Sequence, residues 1–523
     1  MNGAESLLNT LVANKVEVCF TNPGTSEMHF VAALDRVPKM RGVLCLFEGV
    51  ASGAADGYGR IAKRPASTLL HLGPGMGNAL ANFHNARRAK TPIINVVGDH
   101  ATTHLAYDAP LTSDIEGIAK SFSKFVVTPK TPNQIEPAAQ LALQAATMDQ
   151  RGIATVIVPA DASWNELTPE KSMDFGRALW NKEVETIETI GFTEMKALLE
   201  RGNETMLLLG GQALSAGGLR SISKILSLYN VSILAETFPS VLERGGDLLS
   251  IDRLAYLGEM AVAQLANASH VITIGANEPV SFFAYPNTPS QLAPANATVH
   301  HFIAPNENLL EKLDALCDYL GAKTPLAKVA YQTPELPDGD LTGTKAAQTI
   351  GALLREGTIV VDESNTSGLF LPSFTKGAPA HRWLTLTGGA IGQGLPLATG
   401  AAVADPNSRV LCLEADGSAI YTFQALWSQA REKLNVTTVL FNNQSYAILE
   451  LELAKVGALE SSPSARAMLE LKPPSISFSQ LAQAMGVGSL TVRTVSELAK
   501  AITHSFDSVG PFLIEAILPP GIS

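Results

Sequence analysis

The chain has 523 residues, too many for one hydrophobic core, and its 46% hydrophobic and 17% charged residues exclude a disordered chain. The formal net charge is −11, with 38 basic and 49 acidic residues interspersed and no basic block, so no nucleic-acid partner is expected. Cys19, Cys45, Cys317 and Cys412 are spaced for neither a zinc site nor a disulfide framework, and a cytoplasmic location is expected. MNGAESLLNTLVANK lacks a basic n-region and a long apolar h-region, so no signal peptide is expected. No uninterrupted apolar run reaches about 18 residues, so no membrane span is expected.

In chain order, Ser6 to Asn14 is an amphipathic helix and VEVCFTNPG is a strand running into a Pro-Gly turn. Phe30 to Val37 reads as helical, GVLCLF as a strand and EGVASGAADGYGRIAK as an Ala/Gly-rich helix. STLLHL is a strand, followed by a glycine loop, GPGMG, and a helix through NALANFHNARRA; TPIINVVGD is the next strand. The block closes near ATVIVPADASWNE, and residues 163 to 185 read as a linker. A second α/β block has strands at Thr205 to Leu209, VSILAE and HVITIGA, and a Pro-rich linker follows at 323 to 343. The third block starts with a helix at Lys345 to Arg355 and the strand TIVVDES, and contains LPLATGAAVA, RVLCLEADG, TTVLFNN and PFLIEAIL. Repeated strand–helix units with apolar strands predict three doubly wound α/β domains, their parallel sheets covered by helices, over residues 1–165, 186–325 and 340–523.

Two strands of the third block end in oxygen-bearing side chains: RVLCLEADGS and TTVLFNNQSY. Asp416 and Asn443 lie 27 residues apart, one helix plus one strand, which sets both at the C-terminal edge of a parallel sheet, where ligands bind. The Asp416 carboxylate, the Asn443 amide oxygen and a nearby backbone carbonyl, that of Ser445, are three hard oxygen ligands of the kind magnesium takes together with phosphates and water. Gly417 lets backbone N–H groups approach a phosphate at a helix start. Separately, Asp-Gly would be an ordinary turn and Asn-Asn an ordinary loop.

This pattern resembles the thiamine diphosphate signature, Gly-Asp-Gly followed by Asn-Asn, and the chain resembles the acetolactate synthase, pyruvate oxidase and benzoylformate decarboxylase superfamily over essentially its full length. Ala415 stands where the first glycine is usual. The resemblance implies thiamine diphosphate and Mg2+ as cofactors, with the thiamine diphosphate-binding fold in the first and third domains. It implies that Glu48 hydrogen-bonds N1′ of the aminopyrimidine, a role that a partly buried carboxyl group can fill. The turn at Pro23 in TNPGTSE would lie against the cofactor. Thr25 falls where benzoylformate decarboxylase has a serine that touches the substrate carboxylate, and His71 matches that enzyme's first active-site histidine. Ile391 would wedge between the cofactor's rings, and the Gly389 carbonyl would accept from the 4′-amino group. Asn365, Thr366, Ser418 and Tyr446 would lie near the diphosphate. GPGMG is rejected as a dinucleotide loop because it lacks G-x-G-x-x-G and the later acidic residue.

Three departures bear on substrate. Leu449 stands where pyruvate decarboxylases carry a glutamate and benzoylformate decarboxylase a leucine. Ala284 falls closest to that enzyme's second histidine. GANEPVSFF replaces the FDDR run of FAD-binding acetolactate synthases, so no FAD is expected. Phe282, Phe283, Tyr285 and Leu449 suggest an apolar pocket for an aromatic or branched 2-oxo acid. The expected activity is benzoylformate decarboxylase-like: CO2 leaves the substrate and the resulting enamine is protonated to an aldehyde. The alternatives are an acetolactate synthase-like carboligase, which joins the enamine to a second carbonyl compound, and a catalytically inactive homologue. Intact Glu48, Asp416 and Asn443 argue against the last. The resemblance further implies a homodimer or homotetramer with active sites at the subunit interface.

Overall fold

Buried apolar runs organise the chain into three sheets. The structure, a computed structural model, describes residues 1–521 except 149–150, 170–177, 181–186, 285–288, 305–306, 327–331 and 459–462. The first sheet holds β1 (Val18–Thr21), β2 (Arg41–Leu44), β3 (Ala66–His71), β4 (Ile93–Asp99), β5 (Phe125–Val127), β6 (Ile153–Pro159) and β7 (Ala178–Trp180). Their order is β2-β1-β3-β4-β6-β5-β7. Every residue of β6 is buried, as expected of an interior parallel strand with both faces covered. The central sheet has β8 (Thr205–Leu209), β9 (Ser232–Ala235), β11 (His270–Ile274) and β12 (Thr298–His301), ordered β12-β11-β8-β9. The third combines β10 (Leu242–Arg244) with β13 (Ile359–Glu363), β14 (His381–Thr385), β15 (Val410–Ala415), β16 (Val436–Asn442), β17 (Gly488–Val492) and β18 (Phe512–Ile517), ordered β10-β14-β13-β15-β16-β18-β17.

Four elements differ from the sequence expectation. Within the expected linker, β7 pairs antiparallel with β5 and extends the first sheet. Strand β10 lies inside the central segment yet pairs antiparallel with β14, Leu242 opposite Trp383, so that segment supplies an edge to the third sheet. The helix expected over Phe30 to Val37 spans Met28–Ala33. GPGMG is no loop: a helix runs from Leu72 to Arg88 and starts directly at the end of β3. Pro74 is tolerated there because the first helical turn needs no N–H from it. The abrupt strand-to-helix turn leaves Leu72 at φ +47°, a strained conformation for a side-chain-bearing residue.

Two helices join the first and third sheets into one core. Helix Glu48–Ala62 and helix Gly394–Ala404 are built from small residues and cross in close contact. A Cβ on Gly57 would lie 2.0 Å from the Leu397 carbonyl oxygen, and one on Gly400 would lie 1.8 Å from that of Ala54. A buried ion pair, Arg60 to Asp56 at 2.6 Å, sits beside this crossing. Arg60 also donates to the Thr385 carbonyl at 2.8 Å and Thr387 Oγ1 at 2.9 Å, while Asp56 accepts from Gln393 Nε2 at 2.8 Å. The pair is thus extensively hydrogen-bonded, the condition under which buried charges are tolerated. No helix among the described residues is long and apolar enough to cross a membrane.

Candidate functional site

Both seven-stranded sheets reverse strand order near their centres, and the candidate residues lie at those reversals. In the first, β1 connects outward to β2, and the chain then crosses back to β3. In the third, β13 connects outward to β14 and the chain returns to β15. The crevice at such a switch point is where open α/β sheets bind ligands.

At the third-sheet crevice, β15 runs into Asp416, and β16 ends in Asn442 with Asn443 next. Asp416 Oδ1 accepts from the Gly417 N–H at 2.8 Å, and Oδ2 accepts from the Gln444 N–H at 2.7 Å. Asn443 Oδ1 accepts from the Ser445 N–H at 3.0 Å. Gln444, between them, holds φ +57°. Asp416, Asn443 and Ser445 are all buried. Burial pushes the Asp416 carboxyl up to about 6, outweighing the backbone N–H groups that favour its charged form. Asn365, φ +50°, donates through Nδ2 to Ser418 Oγ at 2.9 Å, which joins the β13 and β15 loops. Thr366 follows it, half-buried. The Tyr446 ring lies over Gly417, where a Cβ would meet its Cε1 at 2.4 Å. Burial raises the Tyr446 hydroxyl.

No group of three His, Cys, Asp or Glu suited to a metal occurs among the described residues. The magnesium set expected from the sequence is of another kind: one carboxylate, one amide oxygen and one backbone carbonyl. It fits a hard cation, because the oxygens are the right type and the buried Asp416 carboxylate is short of the positive charge that such an ion supplies. Gly417 stands in the first turn of the helix that follows β15, where backbone N–H groups suit a diphosphate, and its missing Cβ makes room for the Tyr446 ring.

At the first-sheet crevice, Glu48 begins its helix and is 7% exposed. Its Oε1 accepts from Asn22 Nδ2 at 3.3 Å and its Oε2 from Asn78 Nδ2 at 3.0 Å. His71, at the end of β3, has Nδ1 2.9 Å from Glu27 Oε2 and 3.1 Å from Ser26 Oγ. Glu27 also accepts from the Gly24 N–H at 2.8 Å. Two glycines make room for this dyad: a Cβ on Gly24 would strike the His71 ring at 2.2 Å, and one on Gly98 would strike Glu27 Oε1 at 1.9 Å. Pro23 is half-buried on the same turn, and Thr25 is exposed.

The segment 388–392 runs between the crevices. A stripe of asparagines on the Leu72–Arg88 helix holds it. Asn82 Nδ2 donates to the Gly49 carbonyl at 2.8 Å and the Gly392 carbonyl at 3.3 Å. Asn85 donates to the Ala390 carbonyl at 2.8 Å and accepts from its N–H at 3.2 Å. Ile391 is half-buried. Gly389, at φ +74°, lies against Phe282, whose Cζ would be 2.4 Å from a Cβ there. Phe282 packs on Phe283, Tyr256 and Phe238 with ring centroids 4.9, 5.2 and 5.9 Å away. Leu449 is exposed on the helix after Tyr446, and Ala284 is exposed. Tyr285 lies outside the described residues.

Asp416, Gly417, Ser418, Asn443, Ser445, Tyr446 and Asn365 are thus brought together, while Glu48, Thr25, Pro23 and His71 gather on the other sheet. Sequence reasoning missed Asn22, Glu27, Asn78, Asn82 and Asn85. The last three stand at helical spacing on one face, a polar stripe visible in NALANFHNARR. It also missed two acids at apolar strand ends, Glu363 and Glu414, which face each other in register. Glu363 is raised to about 7 and Glu414 well above the usual carboxylate range, both by burial first.

Residues 1–119 match the family model described as thiamine pyrophosphate enzyme, N-terminal TPP binding domain, and residues 367–516 match its C-terminal TPP binding domain. A Mycobacterium tuberculosis protein named "Putative acetolactate synthase large subunit IlvX" is 50% identical over 520 residues, 99% of each chain. Benzoylformate decarboxylase of Pseudomonas aeruginosa is 26% identical over 521 residues, 95% of each. The structure of a Rhodococcus jostii thiamine diphosphate-dependent 4-hydroxybenzoylformate decarboxylase superposes with a TM-score of 0.84 at 21% identity, covering all of both chains, a likeness of fold.

Proposed function

The chain belongs to the thiamine pyrophosphate-dependent enzymes, and from that premise we propose that it is a magnesium-dependent decarboxylase of 2-oxo acids with an aromatic or branched side chain. The observation that carries the substrate reading is the aromatic wall of Phe238, Tyr256 and Phe283 packed around Phe282, which itself lies against Gly389. Such a surface favours an apolar substituent over a charged or phosphorylated one.

The residue roles are those that the family resemblance implies, and the setting of each residue supports them. Asp416, Asn443 and the Ser445 carbonyl would hold Mg2+, and Gly417, Ser418, Asn365, Thr366 and Tyr446 would surround the diphosphate. Glu48 would hold a proton at N1′ of the aminopyrimidine, Gly389 would accept from the 4′-amino group, and Ile391 and Pro23 would flank the rings. The bound cofactor supplies an electron sink for the pair released as CO2 departs. Thr25 would bind the substrate carboxylate. His71, its Nδ1 fixed by Glu27, would carry a proton to the product carbon through Nε2.

Large apolar side chains stand exposed in both cofactor-binding domains: Leu46, Leu105 and Tyr107 in the first, Leu369, Phe370, Ile420 and Tyr421 in the third. A second subunit would cover them, and the assembly is read as a homodimer or homotetramer with shared sites. The free, buried cysteines agree with a cytoplasmic location.

A second reading, acetolactate synthase-like carboligation, is favoured by the exposed Ala284, which offers no proton where a second histidine is expected, and by the name of the 50% identical relative. Cofactor removal tests the proposal. Protein stripped by EDTA should lose 2-oxo acid turnover and regain it only with thiamine diphosphate and Mg2+ together. Turnover persisting in stripped protein would defeat it.

A further inference from the structure

Glu363 ends β13, is 2% exposed and has no ion-pair partner among the described residues. It serves backbone N–H groups instead. Its Oε1 accepts from the Gly392 N–H at 2.8 Å, and its Oε2 accepts from the Gly394 N–H. Those two donors bracket the start of the Gly394–Ala404 helix, whose own N-terminal residue provides no side-chain cap. A carboxyl group from a neighbouring strand thus does the work of an N-cap. Glu414, buried on the adjacent strand, closes the space from the other side. A Cβ on Gly394 would lie 2.1 Å from Glu414 Oε2 and 3.0 Å from Glu363 Oε2. The segment held this way is the one that carries Gly389 and Ile391. Its outer side is pinned at the Gly392 carbonyl by Thr422 Oγ1 at 2.8 Å and by Asn82.

We infer that Glu363 is a positioning residue: it clamps the 389–394 segment from beneath, so that the Gly389 carbonyl and the Ile391 side chain are preset for the aminopyrimidine and thiazole rings. The inference rests on the proposed cofactor reading. It assigns Glu363 to the ring half of the cofactor and not to the diphosphate half, which Asp416, Gly417 and Asn443 would hold.

That division is testable without turnover. Glu363→Gln keeps the shape but offers one acceptor oxygen and an NH2 group, leaving one of the two buried N–H groups unsatisfied. Binding of thiamine diphosphate with Mg2+, and of inorganic pyrophosphate with Mg2+, would be measured by calorimetry on the full chain. Thiamine diphosphate affinity should fall at least about tenfold, the equivalent of one buried N–H group left unsatisfied. Pyrophosphate affinity should stay within about threefold. Glu363→Asp, which keeps the carboxyl group but is one methylene short, should show the same selective loss to a smaller degree and decides the question if the Gln variant does not fold. Equal losses on both probes, or no loss on either, would overturn the inference while leaving the cofactor reading intact. Wild-type protein that binds neither probe would overturn both.

Discussion

Asp416 and His381 show how burial sets the acid response one residue at a time. His381 keeps Nδ1 on the Pro379 carbonyl at 2.7 Å, while Nε2 is buried without a partner among the described residues. Burial lowers its pKa from 6.5 to about 4. As pH falls below 6.5 the unfolded chain takes up this proton and the folded chain does not, so stability drops until pH passes about 4. At about 1.4 kcal/mol per pH unit, the loss is about 3 kcal/mol. Asp416 works the other way: its folded value lies above 3.8, so protonation as pH falls through about 6 stabilises the metal-free fold. Urea unfolding at pH 7 and pH 5 should therefore show His381→Gln losing less stability than wild type over that interval; an equal loss would contradict the assignment. At this scale Asp416 and Asn443 were legible because their spacing is local to one strand–helix–strand unit. Glu27 and His71 were not seen as a pair, because the Nδ1–Oε2 contact joins residues 44 positions apart. Glu363 and Glu414 looked like ordinary strand ends, since nothing in the sequence shows that both are sealed from water.

Helices decide how the two crevices sit relative to each other. The Glu48–Ala62 and Gly394–Ala404 helices touch through glycines, so the positions of Glu48 and Ile391 depend on one close crossing. Gly400→Ala should force the helices apart and cost about 2 kcal/mol, the usual penalty of overpacking. Gly77→Ala is the matched control: nothing lies within 4 Å of its would-be Cβ, and the change should be neutral or mildly stabilising. An unchanged urea midpoint in Gly400→Ala would contradict the crossing. Element type was mostly legible, since buried parallel strands announce themselves as apolar runs. The failures have physical causes. Strands β7 and β10 are three residues each, too short for periodicity, and exist because a neighbouring edge was free to pair. GPGMG carries a loop composition but sits at a helix start, where Gly73 packs against Ser113 and Gly75 against Glu48.

The whole molecule assembles its candidate pocket from segments no local reading can align. Phe282 reaches Gly389 from the central segment, Asn82 reaches Gly392 from the first domain, and the metal-type oxygens come from the third. The proposed cofactor half of this arrangement lies on turns and strand ends, which is why motifs point to it in sequence. The aromatic wall was only partly visible: Phe282 and Phe283 stood out, while Phe238 and Tyr256 join them solely through tertiary packing. Product identification by NMR tests the decarboxylase reading most directly. Protein with thiamine diphosphate and Mg2+ would be incubated separately with pyruvate, a branched 2-oxo acid and benzoylformate, with and without added aldehyde. CO2 and free aldehyde should form, faster from benzoylformate or the branched acid than from pyruvate. Acetolactate from pyruvate as the main product, or no conversion of any 2-oxo acid by cofactor-loaded protein, would contradict that reading.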